Sequence, residues 1–143
     1  MDGPAFKVLV VDDEDYSRFA IVRSLEVLRL TDVVQAGDGD TALAILEDSE
    51  QRIDLVVTDL WMPNLSGLQL LETVRGGSRP GIDPLVPIIV VTGDEDQGLA
   101  ARICKHGVDG YIVKPATAEK LGERILMVMS GDRASARDGT QAS

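Results

Sequence analysis

Three aspartates, a threonine and a lysine each follow a short apolar run, and their types and spacing could do chemistry. Asp12 and Asp13 follow KVLVV, Asp59 follows LVVT, Thr92 follows VPIIVV and Lys114 follows GYIV. Clustered carboxylates repel one another unless a hard cation neutralises them, and Mg²⁺ prefers oxygen ligands. The set therefore predicts a Mg²⁺ site, with Mn²⁺ as the alternative ion.

A carboxylate beside Mg²⁺ can act as a nucleophile toward phosphorus. Because the cation draws charge from an incoming phosphoryl group, one oxygen of Asp59 can attack in line and form an acyl phosphate. The Lys114 ammonium can then neutralise one phosphoryl oxygen, and the Thr92 hydroxyl can donate a hydrogen bond to another. These residue types predict a phosphate-accepting site in which Thr92 senses the phosphoryl group.

Alternating strands and helices are needed to bring these residues together. Short apolar runs predict strands at residues 7–11, 33–36, 55–58, 86–91 and 110–113. Helical spacing predicts helices from residue 16, after residue 39, at about 67–74, at 94–106 and at 117–129. Such alternation favours a parallel sheet with helices on both faces, and ligands bind beyond the carboxyl ends of its strands. The reactive residues are therefore expected at one edge of the sheet.

Apolar periodicity also predicts which side chains of the helices face the core. The predicted inward residues are Phe19, Val22, Leu25 and Leu28 in the first helix, Ala42, Ile45 and Leu46 in the second, Leu99, Ile103 and Cys104 in the fourth, and Leu121, Ile125 and Val128 in the last. Three arginines of the first helix are predicted to face water: Arg18, Arg23 and Arg29.

Composition limits the classes of protein to consider. The chain has 143 residues, of which 44% are hydrophobic, and this suits a single domain, predicted at residues 1–130 with a disordered tail at 131–143. The formal net charge of -10 argues against a broad nucleic-acid surface. The single cysteine cannot form an internal disulfide, and no long apolar segment or secretion signal is seen, so a cytoplasmic protein without membrane binding is expected.

Four blocks of the sequence resemble the signature blocks of response-regulator receiver domains in two-component signalling. They are VLVVDDE, VVTDLWMPNLSG, PIIVVTGD and GYIVKP, each at the end of a predicted strand. The resemblance covers about residues 7–129. It implies an α/β fold, with a doubly wound, five-stranded parallel sheet in the flavodoxin-like order 2-1-3-4-5 and helices on both faces.

The resemblance also implies a role for each site residue. It places Mg²⁺ on Asp12, Asp13, Asp59 and the backbone carbonyl of Trp61, and it makes Asp59 the phosphorylated residue. Lys114 matches the phosphate-binding lysine.

A second group of residues matches the switch of the family. Thr92 corresponds to the switch hydroxyl and Tyr111 to the switch aromatic ring, which turns inward and reshapes the face made by the fourth helix, the fifth strand and the fifth helix. Pro115 matches a proline that usually follows a cis peptide bond, whereas Ala116 departs from the larger residue common at its position.

The implied function is a phospho-acceptor switch that assists its own phosphorylation and is not a turnover enzyme. Its phosphodonor is expected to be a histidine kinase or a histidine phosphotransfer protein, and its output an unidentified protein target. The protein is expected to be a monomer or a phosphorylation-dependent dimer.

Two alternatives stay open. The chain could be the receiver part of a longer regulator. It could also be an aspartyl-phosphate phosphatase of the haloacid dehalogenase type, although that group has a D-x-D motif after its first strand, where this chain has Asp12, Asp13 and Glu14.

Four further residues are interpreted locally. Trp61 is expected to border the phosphoryl site and hinder the hydrolytic water, while Asp94 is expected to cap a helix and could orient that water. His106 is interpreted as a residue near a helix C-terminus without a ligand role, and Cys104 as a small buried residue.

Overall fold

The computed structural model describes residues 6–93 and 97–131, with residues 97–100 described by their backbone alone. Strands and helices alternate through these ranges. The elements are β1 (Val8–Val11), α1 (Asp15–Val27), β2 (Val33–Ala36), α2 (Gly39–Glu47), β3 (Leu55–Asp59), α3 (Gly67–Gly76), β4 (Ile88–Thr92), α4 (Gln97–Lys105), β5 (Gly110–Val113) and α5 (Ala118–Met129).

The strands form one parallel sheet in the order β2-β1-β3-β4-β5, which confirms the predicted fold. The register aligns their carboxyl ends, since Val11 pairs with Thr58, Asp59 with Val91, and Thr92 with Val113. The residues that end or follow β1, β3, β4 and β5 consequently lie at one edge of the sheet.

Helices cover both faces of the sheet because the strand residues alternate between two apolar clusters. On one face, Leu9 and Val56 pack in a cluster with residues of α2 and α3. On the other face, Val8 and Val57 pack with residues of α1 and α5. Burial on both faces explains why the strands are continuous apolar runs rather than alternating ones.

Side-chain caps fix where several helices begin. Asp38 accepts a hydrogen bond from the amide of Thr41 at 2.7 Å at the start of α2, and Thr117 accepts one from the amide of Lys120 at 3.2 Å at the start of α5. Ser66 and Gln69 form a reciprocal capping box at the start of α3. These caps fix the first residues of α2, α3 and α5.

The prediction for the faces of α1 was partly wrong. Phe19 is 58% exposed, whereas Ile21 and Leu25 are buried. The ring of Phe19 instead lies under the guanidinium of Arg23, which is 5.8 Å from the ring centroid. Arg18 was predicted to face water, yet only 19% of its side chain is exposed because it lies across the ends of β1 and β2.

The prediction for β4 was shifted along the chain. The strand was expected at residues 86–91 but spans Ile88–Thr92. The amide of Val86 donates to the carbonyl of Asp83 at 3.1 Å in a turn, and this turn delays the start of the strand.

The remaining helix predictions are largely confirmed within the described residues. In α4, Ile103 is buried and Cys104 is partly buried against the core, and the predicted inward residues of α5 are all buried. His106 follows α4, with its Nδ1 3.3 Å from Oε2 of Glu72. Asp94, the side chain of Leu99 and residues 132–143 lie outside the described residues. No described helix is long and apolar enough to cross a membrane.

Candidate functional site

Three carboxylates meet where β1 and β3 end. Asp12, Asp13 and Asp59 each place one oxygen within 4.8 Å of the others. Asp12 is fully buried and Asp59 is 6% exposed, while Asp13 reaches the surface. Buried like charges at this spacing repel strongly, so the arrangement suits a bound cation. The spacing of these aspartates in the sequence predicted this cluster.

One carboxylate oxygen of Asp12 is available for a ligand. Its Oδ1 accepts a hydrogen bond from the amide of Glu14 at 2.9 Å. Its Oδ2 is buried without a hydrogen-bond partner among the described residues, and the nearest ammonium, Nζ of Lys114, is 3.7 Å away. An unsatisfied buried acceptor typically costs about 1–3 kcal/mol, and more if charged. A hard cation at this oxygen would remove that penalty, so the donor set fits Mg²⁺.

Lys114 reaches into the acidic cluster from the end of β5. Its Nζ lies 3.0 Å from Oδ1 of Asp59, and its amide donates to the carbonyl of Thr92 at 2.7 Å. The Lys114–Pro115 peptide bond is cis, as the resemblance implied. Burial lowers the pKa of Lys114, but the hydrogen bond to Asp59 and the surrounding carboxylates raise it by more. The ammonium therefore stays charged.

Burial is the main influence on the pKa of Asp59. It raises the pKa of that carboxyl; the hydrogen bond from Lys114 lowers it, and the charges of Asp12 and Asp13 raise it again. The net direction is upward. Asp59 is thus a desolvated carboxylate held by a single described ammonium, with an oxygen facing the cleft that the other acids line.

Close packing fixes the backbone of Asp59. The Thr58 hydroxyl donates to the carbonyl of Asp59 at 2.9 Å, and the amide of Gly67 donates to the carbonyl of Leu60 at 2.9 Å. A Cβ on Gly67 would overlap the carbonyl oxygen of Asp59. Gly67 was not predicted as a site residue, although a glycine at the first position of the helix after the site loop was a usable signal.

An open cleft of about 390 Å³ lies above the carboxylates. Asp12, Asp13, Glu14, Asp59, Trp61 and Lys114 line it. The Trp61 side chain is at the mouth, since the residue is 57% exposed. Trp61 therefore lies beside the candidate site residues, and its effect on hydrolysis stays a prediction.

Thr92 and Tyr111 lie deeper in the molecule. Thr92 is fully buried at the end of β4, and Tyr111 is 7% exposed on β5, where it pairs with Val90. The ring of Tyr111 belongs to the core cluster that also contains residues of α2 and α3, and it does not line the acidic cleft. The structure therefore places the predicted switch aromatic in an inward position.

Two side chains of α1 hold the loops that carry the site, and neither was predicted from the sequence to do so. The Arg18 guanidinium donates to the carbonyl of Asp12 at 2.6 Å. The Ser24 hydroxyl donates to the carbonyl of Ala116 at 2.9 Å, 92 residues away in sequence. The contact of Ser24 joins residues distant in the chain and leaves no local sequence pattern. The contact of Arg18 with Asp12 depends on how α1 packs against the end of β1.

A larger groove of about 460 Å³ lies at the opposite edge of the sheet, near residues that precede β3 and β4. Its acids are occupied by main-chain amides. Asp48 accepts from Glu50, Asp54 from Lys7, and Asp83 from Leu85. This groove lacks the converging carboxylates of the cleft, so the cleft is the better candidate site.

The chain belongs to the response-regulator receiver domain family, whose sequence profile matches residues 8–126. Receiver domains of this family are signalling switches. The chain is 37% identical over 119 residues to the chemotaxis protein CheY of Pseudomonas aeruginosa, covering 83% of this chain and 92% of that protein. It is 36% identical over 123 residues to the chemotaxis protein CheY1 of Helicobacter pylori, covering 86% of this chain and 96% of that protein.

Solved structures of receiver domains have the same fold. A response regulator receiver domain protein from Clostridium thermocellum superposes with a TM-score of 0.76 at 30% identity, covering 90% of this chain and 98% of that chain. A response regulator receiver protein from Pseudomonas putida superposes with a TM-score of 0.73 at 34% identity, covering 87% of this chain and 98% of that chain.

Proposed function

We propose that the protein is a phospho-acceptor switch in which Asp59 is phosphorylated with Mg²⁺ bound at Asp12, Asp13 and Asp59. The observation that carries this proposal is the buried Oδ2 of Asp12, which has no described hydrogen-bond partner and lies in a cluster of carboxylate oxygens within 4.8 Å of one another. Membership of the receiver family supports the same assignment. The backbone carbonyl of Trp61 is proposed as a further ligand, and Mn²⁺ as an ion that can replace Mg²⁺.

Asp59 acts as the nucleophile in this proposal. A cation held by Asp12, Asp13 and Asp59 would neutralise charge on these carboxylates and on the incoming phosphoryl oxygens. A carboxylate oxygen of Asp59 forms a bond to phosphorus while the nitrogen–phosphorus bond of a donor phosphohistidine breaks, and its electron pair stays on the imidazole. Lys114, already 3.0 Å from Asp59, neutralises a phosphoryl oxygen of the product. The Thr92 hydroxyl donates to another phosphoryl oxygen and senses the new group.

The signal is proposed to leave through the face formed by α4, β5 and α5. Tyr111 lies on β5, and Lys114 directly follows this strand. A movement of Lys114 at the phosphoryl group can therefore reach Tyr111 through three residues of main chain. The phosphodonor is a histidine kinase or a histidine phosphotransfer protein and the target is another protein. Similarity to chemotaxis proteins supports a protein target, and the net charge of -10 opposes nucleic-acid binding.

Intact-mass measurement after incubation with acetyl phosphate and Mg²⁺ tests this function. We expect the mass of one phosphoryl group on the wild type, and no added mass on Asp59→Asn or in the presence of a chelator. Asp48→Asn is a matched control, since Asp48 lies outside the cleft and the amide retains the oxygen that accepts the bond from Glu50. Equal labelling of Asp59→Asn would show that another residue is the acceptor.

Beryllofluoride binding distinguishes slow transfer from absence of the site. If acetyl phosphate leaves the wild type unlabelled, we still expect the fluorescence of Trp61, the single tryptophan, to change when beryllofluoride is added with Mg²⁺. A protein that responds to neither reagent would not be a phospho-acceptor. Steady turnover of a phosphomonoester would instead identify a phosphatase.

A further inference from the structure

We infer that Arg18 is a positioning residue that holds the main chain of Asp12 so that the free carboxylate oxygen of Asp12 faces the cation site. This inference rests on the Mg²⁺ site of the proposed function. Arg18 itself does not line the cleft.

The guanidinium of Arg18 joins three elements. Its Nη1 donates to the carbonyl of Asp12 at 2.6 Å, its Nη2 to Oδ1 of Asp15 at 2.6 Å, and its Nε to Oε1 of Gln35 at 3.0 Å. These acceptors lie after β1, at the start of α1 and on β2. A planar fork of donors fits acceptors in such different directions, whereas an ammonium concentrates its charge at one point.

The polar atoms of Asp12 are almost all held by these neighbours. Its amide donates to the carbonyl of Ala36 at 3.1 Å, its carbonyl accepts from Arg18, and its Oδ1 accepts from the amide of Glu14. The remaining polar atom is Oδ2, which is buried and without a described hydrogen-bond partner. Arg18 thus completes the set of contacts that keeps this oxygen in place for a cation.

The charge of Arg18 and its geometry have opposite effects on Mg²⁺. A positive charge beside the acidic cluster repels another cation, so its removal alone would strengthen Mg²⁺ binding. Loss of the contact to Asp12 would let the carboxylate move and weaken binding, as loss of groups that orient metal ligands generally does. The sign of the change therefore separates a positioning role from a purely electrostatic one.

Mg²⁺ titrations followed by Trp61 fluorescence test the inference, with calorimetry as a second readout. We expect Arg18→Met to bind Mg²⁺ about tenfold more weakly than the wild type, the size found when groups orienting metal ligands are lost. Arg18→Lys keeps the charge without the fork and should be weakened at least as much. Arg23→Met is the matched control, because Arg23 is an exposed arginine of the same helix, and it should bind as the wild type does.

Mg²⁺ affinity of Arg18→Met equal to or tighter than that of the wild type would overturn the inference. If the wild type itself does not bind Mg²⁺, the proposed function fails instead. Melting temperatures of Arg18→Met with and without Mg²⁺ identify a merely structural role of Arg18. In that case the variant would melt at lower temperature under both conditions, and Mg²⁺ would raise its melting temperature as much as that of the wild type. Such a result would also overturn the inference.

Gln35→Leu provides a second variant in case Arg18→Met does not fold. Gln35 is exposed on the edge strand β2, and its loss removes only the acceptor of Nε. We expect a smaller weakening of Mg²⁺ binding in the same direction. Unchanged affinity in a folded Gln35→Leu protein, with Arg18→Met unfolded, would count against the positioning role.

Discussion

At the scale of single residues, Asp59 is a buried carboxyl group whose surroundings disfavour its ionised form. Burial raises its pKa in the folded protein above 3.8, the ordinary value of an aspartate. The effect of Lys114 is too small to reverse that shift. The folded state therefore binds the Asp59 proton more tightly than the unfolded chain does. Ionised Asp59 consequently destabilises the metal-free protein at neutral pH.

Asp59→Asn is accordingly expected to stabilise the metal-free protein at pH 7. The stability that the Asp59 carboxyl group contributes is fully present below pH 3.8 and is lost as the pH rises through its raised pKa in the folded protein. The side-chain amide of the Asp59→Asn variant does not titrate. The difference in melting temperature between variant and wild type should therefore shrink as the pH is lowered from 7 toward 4. Asp48→Asn should show no such gain. A variant less stable than the wild type at pH 7 without metal would contradict the prediction.

The ring of Trp61 is predicted to limit the access of water to the phosphoryl site. Because its exposed ring lines the cleft, we predict that Trp61→Ala and Trp61→Asn lose the phosphoryl group faster than the wild type. The measurement is the intact mass over time after acetyl phosphate is removed. Leu85→Ala is the control, since Leu85 is 69% exposed and outside the cleft. An unchanged rate in both Trp61 variants would exclude the ring as a shield.

At the scale of elements, Arg75 connects α3 to the segments that enter β4 and β5. It donates to the carbonyls of Pro84 and Val86 at 2.8 Å each, to that of Gly107 at 2.9 Å, and to the Asp109 carboxylate at 2.6 Å. The Asp109 side chain is 2% exposed. This arginine therefore neutralises a buried charge while tying together segments that are far apart in sequence.

Arg75→Met should be strongly destabilising. It removes the guanidinium that lies 2.6 Å from the buried Asp109 carboxylate, and breaking a buried ion pair in this way typically costs about 3–5 kcal/mol. Urea unfolding measures the loss, and Arg52→Met, whose side chain is 93% exposed, should change little. A loss of stability as small as that of the Arg52 variant would show that the pair with Asp109 is not important to the fold.

At the scale of the whole molecule, the sequence predicts the sheet and places the candidate site residues at one edge of it. Strands that are buried on both faces have continuous apolar sequences, which makes them easy to predict. Parallel topology brings the residues at their carboxyl ends to one edge, as seen for Asp12, Asp59 and Lys114. Helix faces were harder to predict. The sequence of α1 allows more than one apolar stripe, and contact with the sheet selects Ile21 rather than Phe19. The contact of Arg18 with Gln35 likewise depends on β1 and β2 becoming neighbours.

If the molecule is a switch, occupation of the cleft should change the face formed by α4, β5 and α5. Phosphoryl oxygens would draw in Thr92 and Lys114, whose backbones are joined by a hydrogen bond of 2.7 Å, and Tyr111 lies three residues before Lys114. We predict that beryllofluoride with Mg²⁺ alters hydrogen–deuterium exchange in peptides from α4, β5 and α5, and leaves α2 unchanged. Asp59→Asn is the control and should show no change in any of them. Altered exchange limited to the loops of the cleft would mean that Asp59 is modified without switching this face.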